Sequence, residues 1–171
     1  MRWIAILLGA CLLLGGCQAD TLPAAQAQTA PVLVTAAYFA PETGAALADS
    51  DLEAHPEVAV VRGMRELKAV DAPQVWIDAA YLDDADKDWL LSLNGVSIVV
   101  TGCGDGMYTF AERLGFPIEM PAGTKTDPYK RGYCVWLQTL DERGFGSQSI
   151  RSGEELTAQA ILDTCKKLLA E

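Results

Sequence analysis

The sequence has little of what most chemistry at neutral pH relies on. It holds one histidine, His55, set between Ala54 and Pro56, and none follows it. A cysteine or serine nucleophile needs a base, so a pairing completed by a C-terminal histidine is excluded. A lone histidine beside a proline reads as a loop residue. Basic residues number 13 against 23 acidic ones, a formal net charge of −10, and no lysine or arginine cluster offsets the balance. Lys166-Lys167 stands near a helix end, where cations are expected. An acidic surface repels phosphate backbones and anionic lipid, so nucleic acid is not an expected partner. The chain's glycine-rich turn is neither a G-x-G-x-x-G fingerprint nor a P-loop. The cysteines and the histidine do not have zinc spacing. No cofactor and no metal are expected.

The one long apolar run stands at the start. MRWIAILLGACLLLGGC is charged only at Arg2, almost unbroken in apolar residues over 4–14, and small before Cys17. It is too short to span a bilayer with normal flanks and reads as a signal peptide. Leu14-Gly15-Gly16-Cys17 resembles the lipobox of bacterial lipoproteins. In that family the signal is cut before the cysteine, which is diacylated on sulfur and usually acylated on its new amino group. The resemblance implies a stable anchor in the cell envelope, because two or more buried chains hold where one is marginal. Gln18 stands where an aspartate would resemble an inner-membrane retention signal, which favours the outer membrane in a two-membrane bacterium. The alternative is an ordinary cleaved signal with an incidental cysteine.

Loss of residues 1–16 leaves 155 residues, enough for one domain with a real core. It also removes one positive charge, Arg2, and takes the net charge to −11. Residues 17–31 combine the lipidated cysteine with a tether rich in Ala, Gln and Pro. From Val32 to the end, 32–171, the pattern is that of a single domain. Strands are expected at 32–39, 58–61, 74–81 and 96–103. Helical spacing is expected at 49–55, at Met64, Leu67 and Val70, at 86–93 behind Asp83-Asp84 as cap, and at Met107, Phe110, Ala111 and Leu114. Such alternation argues for right-handed βαβ units and a parallel sheet. The end differs. YCVWLQTL (133–140) and FGSQSIRS (145–152) flank a turn and read as an antiparallel hairpin. A last helix follows, with Ser152 and Glu155 at capping-box spacing and Ala158, Ile161, Leu162, Cys165, Leu168 and Leu169 in one stripe. The fold class is α/β: a three-layer, mostly parallel sheet of Rossmann-like or flavodoxin-like layout with a C-terminal antiparallel addition and terminal helix.

The segment VSIVVTGCGDGMYTFAERLGF joins a strand to a helix through Gly102, Cys103, Gly104, Asp105 and Gly106. Such loops, at the C-terminal strand ends, are where doubly wound sheets bind ligands. Four readings are open. A phosphate cradle would use converging N–H groups and a helix N-terminus, but Asp105 puts a negative charge where phosphate would sit. A nucleophile elbow would use Cys103. Over 74–116 the layout resembles class I glutamine amidotransferase-like α/β domains, which implies a cysteine-dependent hydrolase or amidotransferase as the rival function. That family places glycines two before and two after the nucleophile, and here Thr101 and Asp105 hold those positions. A disulfide from Cys103 to Cys134 is the third reading, since an odd cysteine count outside the cytoplasm usually means one bridge and a spare thiol. Glycines for a tight turn, with Asp105 as N-cap, are the fourth. The turn reads as serving the fold under the last two, which carry the weight.

Asp83, Asp84, Asp86 and Asp88 have the spacing of a calcium-loop start, but Trp89 and Gly95 stand where its glycine and glutamate belong. They read as capping aspartates. Asp78 lies near the end of the third strand and Glu119 and Asp127 in the loops after the fourth, and nothing in the sequence brings two together for acid–base work. Trp76 and Trp136 fall inside apolar strands and read as core. The long loop 121–133 holds Tyr129, Lys130, Arg131 and Tyr133; loops of that length are often functional. Candidate ligand-binding residues are therefore Gly102, Cys103, Gly104, Asp105, Gly106, Tyr129 and Arg131. The expected function is an envelope lipoprotein, tethered by lipid, whose α/β domain binds a small molecule or protein partner without catalysis.

Overall fold

Short runs dense in β-branched and aromatic residues become strands, and each is buried on both faces where helices cover it. The computed structural model describes residues 32–103, 110–112, 115, 132–140 and 146–170. The chain divides after Pro31 into two units, and every element below belongs to Val32–Glu171. The strands are β1 (Ala36–Phe39), β2 (Val58–Val61), β3 (Gln74–Asp78), β4 (Val96–Thr101), β5 (Tyr133–Leu140) and β6 (Gly146–Gly153). They lie in the order β2-β1-β3-β4-β5-β6. β2, β1, β3 and β4 pair in parallel, and β5 and β6 are added antiparallel. The described residues thus form an α/β domain on a mixed sheet, in agreement with the class expected from the sequence. The order of the first four strands is the one that starts a flavodoxin-like sheet.

The helices are α1 (Asp49–Glu53), α2 (Met64–Leu67), α3 (Lys87–Ser92) and α4 (Ala158–Leu169), and residues 110–112 are also helical. Leu67, Leu90, Phe110 and Ala111 pack with Phe39, Ile77, Val100 and Trp136 on one face of the sheet. Ala158, Ile161, Cys165 and Leu168 of α4, with Leu52 of α1 at the margin, pack with Tyr38, Trp76, Val99 and Val135 on the other. β1 and β3 are buried at every position because both layers cover them. No helix of the described residues is long and apolar enough to cross a membrane.

Several boundaries move for definable reasons. β3 stops at Asp78, short of the run ending at 81, because the Asp78 side chain accepts from Ala80 N–H and starts a 3-10 turn, Ala79–Tyr81. Asp86, and not Asp83-Asp84, caps α3, accepting from Trp89 N–H at 3.0 Å. Gln138 is buried and donates to the carbonyls of Leu91 and Leu93, satisfying acceptors that the end of α3 leaves open. The capping box at Ser152 and Glu155 does not form. Strand pairing runs to Tyr133↔Gly153 and draws Ser152 into β6, so Thr157 caps α4. A Cβ on Gly153 would lie 2.5 Å from the Tyr133 ring, which is why the pairing ends on glycine. Leu169, placed in the apolar stripe of α4 by its spacing, is exposed at the last turn of the helix.

Candidate functional site

β1 leads to α1 on one face of the sheet, whereas β3 leads to α3 on the other. The connections therefore diverge at the carboxyl ends of β1 and β3, and a crevice opens there, where doubly wound sheets take ligands. Its floor is Asp78, the last residue of β3, which is 3 % exposed.

Asp78 is held by neutral donors on three segments. Tyr38 O–H of β1 donates to Oδ2 at 2.7 Å, Ala46 N–H of the β1–α1 loop donates to the same oxygen at 2.7 Å, and Ala80 N–H donates to Oδ1 at 2.9 Å. The Tyr38 hydroxyl in turn accepts from Thr101 Oγ1 of β4 at 3.4 Å and from Leu47 N–H at 3.5 Å. Burial pushes the Tyr38 phenol well above its ordinary range, and the Asp78 carboxylate adds to that shift. One carboxylate thus ties β1, β3, β4 and the loop over them into a single polar network. Such a network is costly to break, because each partner it leaves would be buried and unpaired.

The loop and the strand ends enclose a cleft of about 290 Å³, lined by residues 44–46, residues 78–80, Gly102 and Leu156. Its size is at the lower limit of small-molecule sites. A second hollow of about 310 Å³ lies on the same loop, lined by residues 42–45 and 47–49. Gly102 has φ +77°, and a Cβ there would come within 2.7 Å of Ala46 Cβ. Glycine at this position lets the β4 loop close against the β1 loop.

Of the residues singled out from sequence, Gly102 lines this cleft, and Cys103 is half-buried and packs at the edge of the Phe39–Trp136 core. Gly104, Asp105, Gly106, Tyr129, Arg131 and the lipidation candidate Cys17 lie outside the described residues, as do Glu119 and Asp127. The residues that sequence reading passed over are Tyr38, Thr101, Ala45, Ala46, Ala80 and Leu156. A signal for some was present: GAA at 44–46 follows one buried strand, and Asp78 closes another, so both mark carboxyl ends.

The structure carries Cys103, Cys134 and Cys165 as thiols. No two of them lie at disulfide distance: β4 and β5 are antiparallel neighbours, but Cys134 opposes Val100, three residues before Cys103. The two are neighbours without being cross-strand partners. Burial, reinforced by Cys103, pushes the Cys134 thiol up to about 12. Burial does the same for Cys165, also to about 12, and Cys165 lies in the core on the opposite face of the sheet. His55 is set where β2 begins, its carbonyl accepting from Val58 N–H. Its Nδ1 lies 3.1 Å from Glu57 Oε1 and its Nε2 3.9 Å from Asp51 Oδ1, while Asp51 Oδ2 accepts from Ala158 N–H at the start of α4. Cys103 follows the carboxyl end of β4. In parallel strands these are opposite edges of the sheet, a strand length apart, so His55 does not serve as a base for Cys103. Among the described residues no group of His, Cys, Asp and Glu is arranged to hold a metal ion.

Compared with known proteins, the chain matches no family model, no curated protein and no solved structure.

Proposed function

We propose that this chain is a bacterial envelope lipoprotein, lipidated at Cys17, whose α/β domain binds a small molecule or partner in the crevice at the carboxyl ends of β1, β3 and β4. The observation that supports binding most is the Asp78 network, which spends a buried carboxylate on fixing the loop that roofs this crevice. A connection with no further task does not need that expense of desolvation. The anchor rests on Leu14-Gly15-Gly16-Cys17 and on the tether at 18–31. In a two-membrane envelope the address is the outer membrane, and the membrane is met through lipid alone. The net charge of −11 for the chain from Cys17 argues against nucleic acid as partner. Cys103 and Cys134 are the pair to oxidise in that compartment, since the β4–β5 register puts both at one end of the strand pair and Cys165 behind the sheet.

Detergent-phase partitioning with intact mass tests the anchor. The wild-type chain enters the detergent phase and begins at Cys17 with acyl mass, whereas Cys17→Ala does neither. A wild-type chain starting elsewhere, without acyl mass, overturns it. Thiol labelling separates binding from catalysis. Rapid labelling of Cys103 near neutral pH, blocked by a small substrate, would establish the hydrolase or amidotransferase reading instead.

A further inference from the structure

The chemistry of the crevice narrows its ligand, provided that the crevice is the binding site. At this place doubly wound folds commonly hold phosphate against glycine-rich loops and helix N-termini. Here the floor is a carboxylate. Asp78 meets three donors, Tyr38 O–H, Ala46 N–H and Ala80 N–H, and all are neutral. None of the ion pairs among the described residues involves it. Glu42 and Asp49, both exposed, line the adjoining hollow on the same loop, and among the described residues neither hollow is lined by a lysine or arginine. An anion entering the cleft meets negative charge at close range, and the cation that reaches this loop among the described residues, Arg62, is committed to the Ala40 and Pro41 carbonyls outside the cleft lining.

We infer that the crevice takes a small cation: a primary ammonium on a short aliphatic body. Oδ1 of Asp78 accepts one hydrogen bond where a carboxylate oxygen has room for two, so an ammonium N–H has an acceptor on the floor. A charge-assisted bond there is stronger than a neutral one. Only part of the wall meets the body of such a ligand: the lining is mostly polar, with apolar atoms from the methyls of Ala45, Ala46, Ala79 and Ala80 and the Leu156 side chain, so the aliphatic part is short. A volume of about 290 Å³ admits a chain of a few carbons and no nucleotide.

The probes are propylammonium, propionate, propanol and inorganic phosphate, each titrated into the full chain in neutral detergent micelles. The readout is the amide shifts of Ala46, Ala80 and Gly102. Propylammonium shifts all three saturably, in the weak range that about four heavy atoms allow, and the two anions leave them unmoved. Asp78→Asn weakens propylammonium at least tenfold. Because Asp78 supports the fold, a second variant is needed. Ala80→Trp, at an exposed wall position, fills the cleft without removing a network member and abolishes the shifts. Saturable shifts from phosphate or propionate, or undiminished binding of propylammonium in either variant, overturn the assignment. Shifts from propanol equal to those from propylammonium leave the crevice a binding site and refute the cation. Silence from every probe refutes the cation as well, and the crevice is then judged by the molecule it carries from its own membrane.

Discussion

Asp78→Ala strikes the network at its centre. Two of its three donors, Tyr38 O–H and Ala46 N–H, are buried or half-buried and bond Oδ2 at 2.7 Å, whereas Ala80 is exposed and exchanges its bond for water. A hydrogen bond to a charged group is worth about 1.5–3 kcal/mol. Loss of the two inner bonds therefore costs about 3–6 kcal/mol. Tyr38→Phe removes one donor and costs about 1–2 kcal/mol, and the Thr101 hydroxyl then loses its acceptor. Because the two side chains share a bond, the double variant costs less than the sum by about 1–2 kcal/mol. Urea unfolding followed by far-UV circular dichroism measures all three. With a slope of about 1.5 kcal/mol per molar for a domain of this size, Asp78→Ala lowers the midpoint by roughly 2–4 M. A loss under about 1 kcal/mol, or strict additivity with Tyr38→Phe, refutes the network as the clamp on the β1–α1 loop.

Three further outcomes follow from the same geometry. Cys134 and Cys165 stay protonated in the fold up to about pH 12, but ionise near pH 9 when unfolded, so stability is intact below pH 9 and falls as pH rises from about 9 to 12. Tyr38 adds to that fall, and Cys165→Ala flattens the urea midpoint against pH; a midpoint constant to pH 11 contradicts the burial of these groups. Gly102→Ala costs about 2 kcal/mol or more in unfolding experiments, from its positive φ and the contact with Ala46, whereas Gly95→Ala, with φ +69° and open space, costs about 1 kcal/mol. Equal costs would mean that the two loops do not touch. Peptide mapping of the full chain under an envelope disulfide oxidant, to which two thiols give two electrons and two protons, links Cys103 to Cys134 and leaves Cys165 unpaired. With a loop of about thirty residues the bridge adds roughly 3–4 kcal/mol, less any strain from the three-residue offset. A bridge to Cys165 would show that α4 packs elsewhere.

The sheet was legible because its signals are local. VAVV, QVWID and VSIVV are dense in β-branched residues, so β2, β3 and β4 fall where composition puts them, and the YCVWL strand turns back antiparallel as its hairpin requires. Strand order was not legible, because it depends on which face each connection crosses, and no residue encodes that alone. The site was half legible. Gly102 marks itself by standing at a strand end, but the partners of Asp78 lie 40 residues away at Tyr38 and 32 away at Ala46. Only pairing of β1 beside β3 brings them together. The sulfur and glycines of GCGDG stand out in the sequence, whereas the clamp is built from a tyrosine and aspartate that look like ordinary core and cap. The capping box failed for a similar reason: Ser152 satisfies a local rule, and the β5–β6 ladder outweighs it.

The proposed function joins two properties, a lipid anchor at Cys17 and binding in the crevice over Asp78. Native mass spectrometry of the full chain, released in mild detergent from the membrane in which it matured, tests it most directly. The expected species is a chain beginning at Cys17, carrying acyl mass and a bound small molecule that Ala80→Trp removes without unfolding the domain. A chain starting elsewhere, a bound molecule that persists in Ala80→Trp, or a covalent adduct on Cys103 would contradict it.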